Sequence, residues 1–344
     1  MPKISVIMPV YNGVKYLSKS IESILNQTER DFDFLILNEF GSNDGSAEII
    51  QQYAQLDNRI QYIQAKERLG PTRSRNVLFQ EAQGEYIALM DCDDISAPRR
   101  LEIQLLYFSL YNDIGAIGIK HRVIPYGNFL VRYHSDWRIA KSSSIFFTPI
   151  RHPTKMIQRD VVNQYQLFYD ETLEGLEDFE LQYRIAHHTK IMNINDPALF
   201  TYSWYSNNSS NVFRERDSQL RQQITKRNVQ ESFRVALSDF DAQLLAFSIG
   251  IKKKPENKRL SALRRIEYLL KLLYNHNLEE QLYEPYALSY TLFERWTMEM
   301  HNIRSLYGSL RKAPQELREF FENSSFFKLN TYSRFELNDG SYQQ

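Results

Sequence analysis

An α/β fold with a mostly parallel sheet, followed by a helical region, is predicted by three features of this chain. Short apolar runs alternate with amphipathic segments up to about residue 111. Strand-like runs nearly vanish after about residue 212. At 344 residues and 42% hydrophobic content, the chain can bury a full core and more than one domain.

The first strand is ISVIMPV at 4–10, short, apolar and rich in β-branched residues. YLSKSIESILNQ follows, with Leu17, Ile21, Ile24 and Leu25 at helical spacing, which gives a helix one face to lay on a sheet. FDFLILN, SAEIIQQYAQL and IQYIQ repeat the alternation, and TRSRNVLFQEA with YIALM makes a third helix and strand. Strands separated by helices pair in parallel through right-handed crossovers, so their loops gather at the carboxyl ends of the strands. Residues 98–111 read as helix, 115–124 as strand, 126–175 as a mixed region with weaker periodicity, and 176–188 as helix again. Beyond that, 217–250, 258–276, 279–300 and 302–323 all read as helices, broken at KKKPENK and YNHN. The expected organisation is an α/β module over 1–212, with halves at 1–111 and 112–212, and a helical region over 213–344.

Composition narrows the function. The 42 basic and 42 acidic residues cancel, which argues against a nucleic-acid partner. Cys92 is the only cysteine, so there is no internal disulfide and no thiolate-rich zinc site, as expected in a reducing compartment. The opening MPKISVIMPVYNG has too short an apolar run for a secretory signal, and no stretch approaches a membrane span. The expected location is the cytoplasm, including the inner face of its membrane.

Four loops carry the chemistry. In YIALMDCDD the strand runs into Asp91, Asp93 and Asp94, whose mutual repulsion a hard divalent cation, Mg²⁺ or Mn²⁺, would convert into coordination. A solvated acidic turn that starts the next helix is the other reading. In PVYNG, Pro9 and Tyr11 can wall a flat base, or the segment is an ordinary turn before a helix. In NEFGSNDGS, Glu39 can accept from a base or ribose, while Asn43 or Asp44 can cap the following helix. In KERLGPTRSRN, Arg68, Arg73 and Arg75 surround a glycine at a helix start, which suits a diphosphate, although surface arginines are also commonly just solvated. Taken together the four loops describe a nucleotide site.

ISVIMPVYNG, GSNDGS, RSRN and MDCDD followed by Pro98 and Arg100 stand in the order of a known family, and residues 4–111 resemble the nucleotide-binding half of a family 2 glycosyltransferase. The resemblance implies the GT-A fold, a Rossmann-like sheet, with a nucleotide-sugar donor and a divalent cation. It places Asp91 near ribose or metal and Asp93 on the metal bridging the diphosphate. RHPTKMIQRD at 151–160 resembles the segment between donor and acceptor halves, and LEDFELQYR resembles the acidic pair containing the catalytic base. By position that base is Asp178 with Glu177 beside it; direct displacement at an anomeric carbon needs such a carboxylate. Without the resemblance, Glu177, Asp178 and Glu180 would read as acids stabilising a helix N-terminus. His152 is either a donor or acceptor contact or a structural hydrogen bond, and Trp204 either stacks on a sugar or lies in a core.

Two departures stand out. Where many relatives carry an aspartate pair before the second loop's glycine, this chain has Glu39 and Phe40, which makes uridine recognition less secure. Where relatives carry an arginine and a metal-binding histidine after the tyrosine, it has Ser203 and Tyr205, and a phenol is a poor ligand near neutral pH.

The combined expectation is an inverting, metal-dependent transferase moving a sugar from a UDP-linked donor to a hydroxyl of a glycan or lipid-linked glycan in surface polysaccharide synthesis. The rival is a GT-A pseudoenzyme that binds or scaffolds without turnover. In 258–276, Leu263, Ile266, Leu270 and Leu273 line one face with Arg264, Arg265 and Lys271 elsewhere. Such a helix suits an anionic membrane surface, a homodimer or a bundle, and the bundle is preferred because adjacent helices need partners.

Overall fold

The computed structural model describes residues 1–124, 133–204, 215–246, 256–307 and 312–323. They form two compact units: residues 1–144 with 148–213, and Ile145–Phe147 with Arg214–Gln344.

The first unit is built on a seven-stranded sheet in the order β3-β2-β1-β4-β8-β6-β9. Strands β1 (Ile4–Val10), β2 (Phe32–Asn38), β3 (Ile60–Gln64) and β4 (Tyr86–Leu89) are parallel and separated by helices α1 (Val14–Leu25), α2 (Ser46–Leu56) and α3 (Gly70–Glu81), as the alternating sequence dictates. β2 is buried at all seven positions because helices cover both of its faces, which is why FDFLILN is a continuous run and not an alternating one. Close approach fixes Gly84: a Cβ there would lie 2.4 Å from the Ser5 nitrogen.

The mixed region departs from the parallel expectation. Strands β6 (Ile114–Ile119) and β9 (Lys190–Ile194) are parallel, but β8 (Met156–Gln158) inserts antiparallel between β4 and β6. Its chain enters from a 3-10 turn, His152–Thr154, beside the carboxyl end of β4, where the Leu89 N–H donates to the Lys155 carbonyl at 2.9 Å. Residues 115–124, expected as one strand, split into β6 and β7 (Arg122–Ile124), with His121 buried at the break. β7 joins β5 (Ile95–Ser96) and β10 (Phe200–Ser203) in a second, three-stranded sheet. Helices α4 (Arg100–Leu110), α5 (Trp137–Ser143), α6 (Arg159–Tyr165) and α7 (Glu177–His188) complete the unit.

In the second unit the run expected as one helix over 217–250 is two, Glu215–Phe233 and Asp239–Ala246, and its last residues lie outside those described. Helices Glu256–Glu280, Pro285–Tyr307 and Gln315–Asn323 follow. Leu263, Ile266, Leu270 and Leu273 are all buried within this unit, so the apolar stripe serves a bundle and is not presented to a membrane. A buried pair, Arg295 with Glu299 at 2.6 Å, survives away from water because the guanidinium also donates to the Leu244 and Leu245 carbonyls. Among the described residues no helix is long and apolar enough to cross a membrane.

Candidate active site

The loops that follow β1, β2 and β4 and precede α3 meet at the carboxyl edge of the sheet, where an α/β fold leaves its crevice. The first two are stitched together: the Gly13 N–H donates to the Ser46 hydroxyl at 3.0 Å, Val14 N–H to Asp44 at 2.9 Å, and Asn43 N–H to the Asn12 side chain at 3.1 Å. Gly45, at φ +98°, takes a left-handed conformation that frees the Asp44 carboxylate to reach Ser46 and Val14. Tyr11, next to the half-buried Pro9, is exposed, and the Arg68 guanidinium lies 4.3 Å over its ring while donating to its hydroxyl at 2.9 Å. The two make one stacked edge.

Glu39 goes elsewhere than expected. Its carboxylate accepts from the N–H groups of Phe40, Leu69 and Gly70 at 3.0, 2.8 and 2.7 Å and from the Ser74 hydroxyl at 3.0 Å. Four donors fill the acceptor positions of a carboxylate, which leaves it buried as the cap of α3 and with no lone pair for a base or ribose. Glutamate's extra methylene supplies that reach. Glu39→Ala is therefore expected to cost about 2–4 kcal/mol in urea unfolding, since it strands buried donors; an unchanged unfolding midpoint with weakened nucleotide binding would reverse the assignment.

Arg75, in the first turns of α3, joins the two acidic regions. One amino group faces Asp91 at 3.3 Å and the other Glu177 at 3.4 Å. Burial works against its charge, but Asp91 and Glu177 outweigh burial and hold it above its ordinary range. The neighbouring Asn76 clamps the segment before α7 by exchanging hydrogen bonds of 2.9 Å with the Tyr169 backbone in both directions. Arg73 is at the surface, paired to Glu67 at 3.0 Å.

The structure sorts the first-turn acids of α7. Glu180 is bound to Arg184 at 2.8 Å. Glu177 accepts from the Gly175 N–H at 2.6 Å and faces Arg75. Its carboxyl is raised by burial and by the adjacent Asp178 charge. Asp178 alone remains half-buried with, among the described residues, no hydrogen bond to its carboxylate. It has the open lone pair that a general base requires.

At the end of β4 the carboxylates also divide. Asp94 is fully buried and accepts from the Ser203 N–H at 2.8 Å, tying the cluster to β10. The Ser20 hydroxyl donates to the carbonyls of Cys92 and Asp94 at 2.8 and 2.7 Å, holding the turn rigid. Asp93 is pushed up to about 6 by burial and then by the Asp91 charge. That cost is what a cation between Asp91 and Asp93 would relieve, and hard oxygen ligands fit Mn²⁺ or Mg²⁺. Among the described residues no group of three or more His, Cys, Asp or Glu could hold a metal. A cation held by Asp91 and Asp93 would draw its remaining ligands from phosphate and water. Tyr205, at the place of the relatives' histidine, lies outside the described residues.

His152 is placed structurally: its Nε2 is 2.8 Å from the Tyr169 hydroxyl. Burial, then the charges of Arg75, Lys155 and Arg151, hold it well below the usual imidazole range, so it is neutral. Trp204 directly follows β10, its backbone N–H donating to the Ile124 carbonyl at 2.9 Å. Two cations flanking the same turn were not singled out by the sequence reading. Arg151 lies 3.7 Å over the Tyr202 ring. Lys155 is fully buried with, among the described residues, no hydrogen-bond partner at Nζ, and burial lowers it to about 8 despite Asp178. The signal was present in RHPTK, a turn bracketed by two cations just ahead of an apolar strand.

Comparison with known proteins identifies the family and the fold. The profile of "Glycosyl transferase family 2" matches residues 5–173. An uncharacterized glycosyltransferase of Methanocaldococcus jannaschii is 34% identical over 206 residues, covering 58% of this chain and 70% of the relative. The O-antigen biosynthesis glycosyltransferase WbnJ of Escherichia coli is 35% identical over 187 residues, covering 54% and 72%. Residues 1–349 of S. aureus TarS, crystallised with UDP-GlcNAc, superpose with a TM-score of 0.59 at 16% identity over 93% of this chain and 91% of that one, which identifies the fold as GT-A. With relatives matched over more than two thirds of their own lengths, and with the nucleotide-site motifs converging on one edge of a GT-A sheet, the chain belongs to glycosyltransferase family 2 and is a transferase.

Proposed function

We propose that this chain transfers a sugar from a UDP-linked donor to a hydroxyl of a glycan or lipid-linked glycan with inversion, as a step in surface polysaccharide synthesis. The observation that supports the reading is the Arg75 bridge, which ties Asp91 at the end of β4 to Glu177 at the start of α7, next in sequence to Asp178. Asp178 takes the proton of the attacking hydroxyl as it forms the new bond to the anomeric carbon, while the bond to the diphosphate oxygen breaks with its electron pair. Displacement in one step from the opposite side inverts the configuration. A divalent cation held by Asp93, with Asp91 beside it, would supply positive charge to the departing diphosphate. Glu177, already held by Arg75 and Gly175, fixes the start of α7.

Tyr11 and Arg68 form the wall for the base. Tyr11→Ala is expected to weaken nucleoside diphosphate binding by about 1–3 kcal/mol, measured by calorimetry; unchanged affinity would remove the ring from the site. The polysaccharide setting is supported by the similarity to an O-antigen transferase. UDP as carrier is supported by the GT-A likeness to a protein crystallised with UDP-GlcNAc. The test is incubation with a panel of UDP-, GDP- and dTDP-sugars, Mn²⁺ and polysaccharide-derived acceptors, with released nucleoside diphosphate as the readout. Acceptor-dependent release from UDP-sugars supports the proposal; release from GDP- or dTDP-sugars alone moves the carrier.

A further inference from the structure

An anionic donor needs a cation that is both fixed and reachable, and the basic groups around Asp178 differ in this respect. Arg75 has its two amino groups facing Asp91 and Glu177. Lys155 is sealed at 0% exposure. Arg151 is only half-buried, and among the described residues no carboxylate lies within ion-pair distance of it. The fold nonetheless holds it firmly. Its guanidinium lies 3.7 Å over the Tyr202 ring and interacts electrostatically with the buried Tyr133, while among the described residues its buried Nε has no hydrogen-bond partner. His121 packs against both tyrosines, with ring centroids at 5.7 and 5.8 Å.

The backbone on either side is anchored too. The Ile150 N–H donates to Gln182 of α7 at 2.8 Å, and the Arg151 carbonyl accepts from the Thr154 N–H at 3.0 Å. Arg100, itself buried, donates to the carbonyls of Leu89 and Pro153 at 2.8 and 3.1 Å, binding this turn to the end of β4. The Arg151 charge reaches Asp93 and Asp94 on one hand and Asp178 on the other. In space it stacks on Tyr202, whose neighbour Ser203 donates its N–H to Asp94 of the acidic cluster at 2.8 Å. Its field is also felt by His121, which burial and then Arg151 lower to about 4.

We propose that Arg151, caged by Tyr133 and Tyr202, is a further donor-binding residue whose guanidinium grips the diphosphate of the nucleotide sugar. A planar fork aimed by an aromatic face is pre-organised for phosphate oxygens and loses little rotamer freedom on binding them. In the reaction it faces the oxygen that gathers charge as the sugar leaves, a fixed donor where charge develops. The inference rests on the proposed donor chemistry, and its test separates the two.

The experiment is calorimetric titration of UDP, GDP and dTDP, and of the parent nucleosides, into wild type, Arg151→Met and Arg151→Lys, with Mn²⁺ and again with EDTA. Arg151→Met is expected to weaken binding of the preferred diphosphate by about 10- to 100-fold, the loss of a charge-assisted hydrogen bond, with nucleoside binding unchanged. The loss should persist in EDTA, and Arg151→Lys should recover part of it. Equal diphosphate affinity in wild type and Arg151→Met overturns the proposal, as does an equal loss for nucleoside and diphosphate. Should Arg151→Met fail to give a wild-type melting curve, Arg151→Lys decides on the same diphosphate-against-nucleoside difference. If the wild type binds none of the three diphosphates, the donor reading itself fails.

Discussion

Asp178→Asn should lower kcat by about 10²- to 10⁴-fold, the usual contribution of a positioned general base, while the donor still binds with wild-type affinity. The amide has the size of the carboxylate but cannot take the proton of the attacking hydroxyl. The structure makes this substitution informative, because the neighbours are otherwise employed. Glu177 is held by Gly175 and Arg75, and Glu180 by Arg184, so neither can step in without breaking its own contacts. Steady-state kinetics with calorimetry on the same preparation provides the check. Full turnover in the variant would end the assignment of Asp178 as base, and loss of donor binding along with turnover would make it a structural residue.

Removing Asp93 should be nearly as severe. Asp93→Asn is expected to reduce Mn²⁺-supported transfer by on the order of 10²- to 10³-fold, and to abolish the gain in nucleoside diphosphate affinity that Mn²⁺ gives the wild type. Relief of repulsion favours the folded state of the variant, because Asp93 is raised by burial and by Asp91, and a neutral side chain escapes both penalties. Thermal stability without metal should therefore be equal to wild type or higher while function falls. Comparing melting curves and nucleotide titrations with and without EDTA separates this outcome from simple unfolding. A variant that keeps its Mn²⁺-dependent gain would show that the cation is held elsewhere.

How far the site could be read beforehand follows from the range of each interaction. Strands β1 to β4 and helices α1 to α3 were legible because period and burial are written locally, in runs such as ISVIMPV and FDFLILN. The mixed region was not, since β8 is three residues long and its antiparallel direction is set by the turn at His152–Thr154 and by pairing to β4 and β6. Glu39 was misplaced for a related reason: its acid type was visible, but three of its four donors, from Leu69, Gly70 and Ser74, come from the start of α3 and the residue before it, about thirty residues on. The basic amphipathic stripe at 258–276 was legible as a helix, yet whether it met lipid or protein depended on neighbours that bury Leu263, Ile266, Leu270 and Leu273.

By itself the sequence determined the chemical types and their order: a strand ending in Asp91, Asp93 and Asp94, an arginine-bearing helix start, and the acidic segment that begins α7. Motif order and hydrophobic period are properties of neighbours along the chain, and these sufficed for the family and the α/β class. Only the tertiary structure decided which carboxylate is free. Three acids crowd the start of α7 and three the end of β4, and identity is settled by where Arg75, Arg184, Gly175 and the Ser203 N–H fall in space. The same holds for Arg151, an ordinary charge in the sequence that acquires a direction only because Tyr133 and Tyr202 close around it. Hydrogen bonds and charge pairs act over a few ångströms, whatever the separation along the chain, so composition can supply the groups while packing alone assigns them their work.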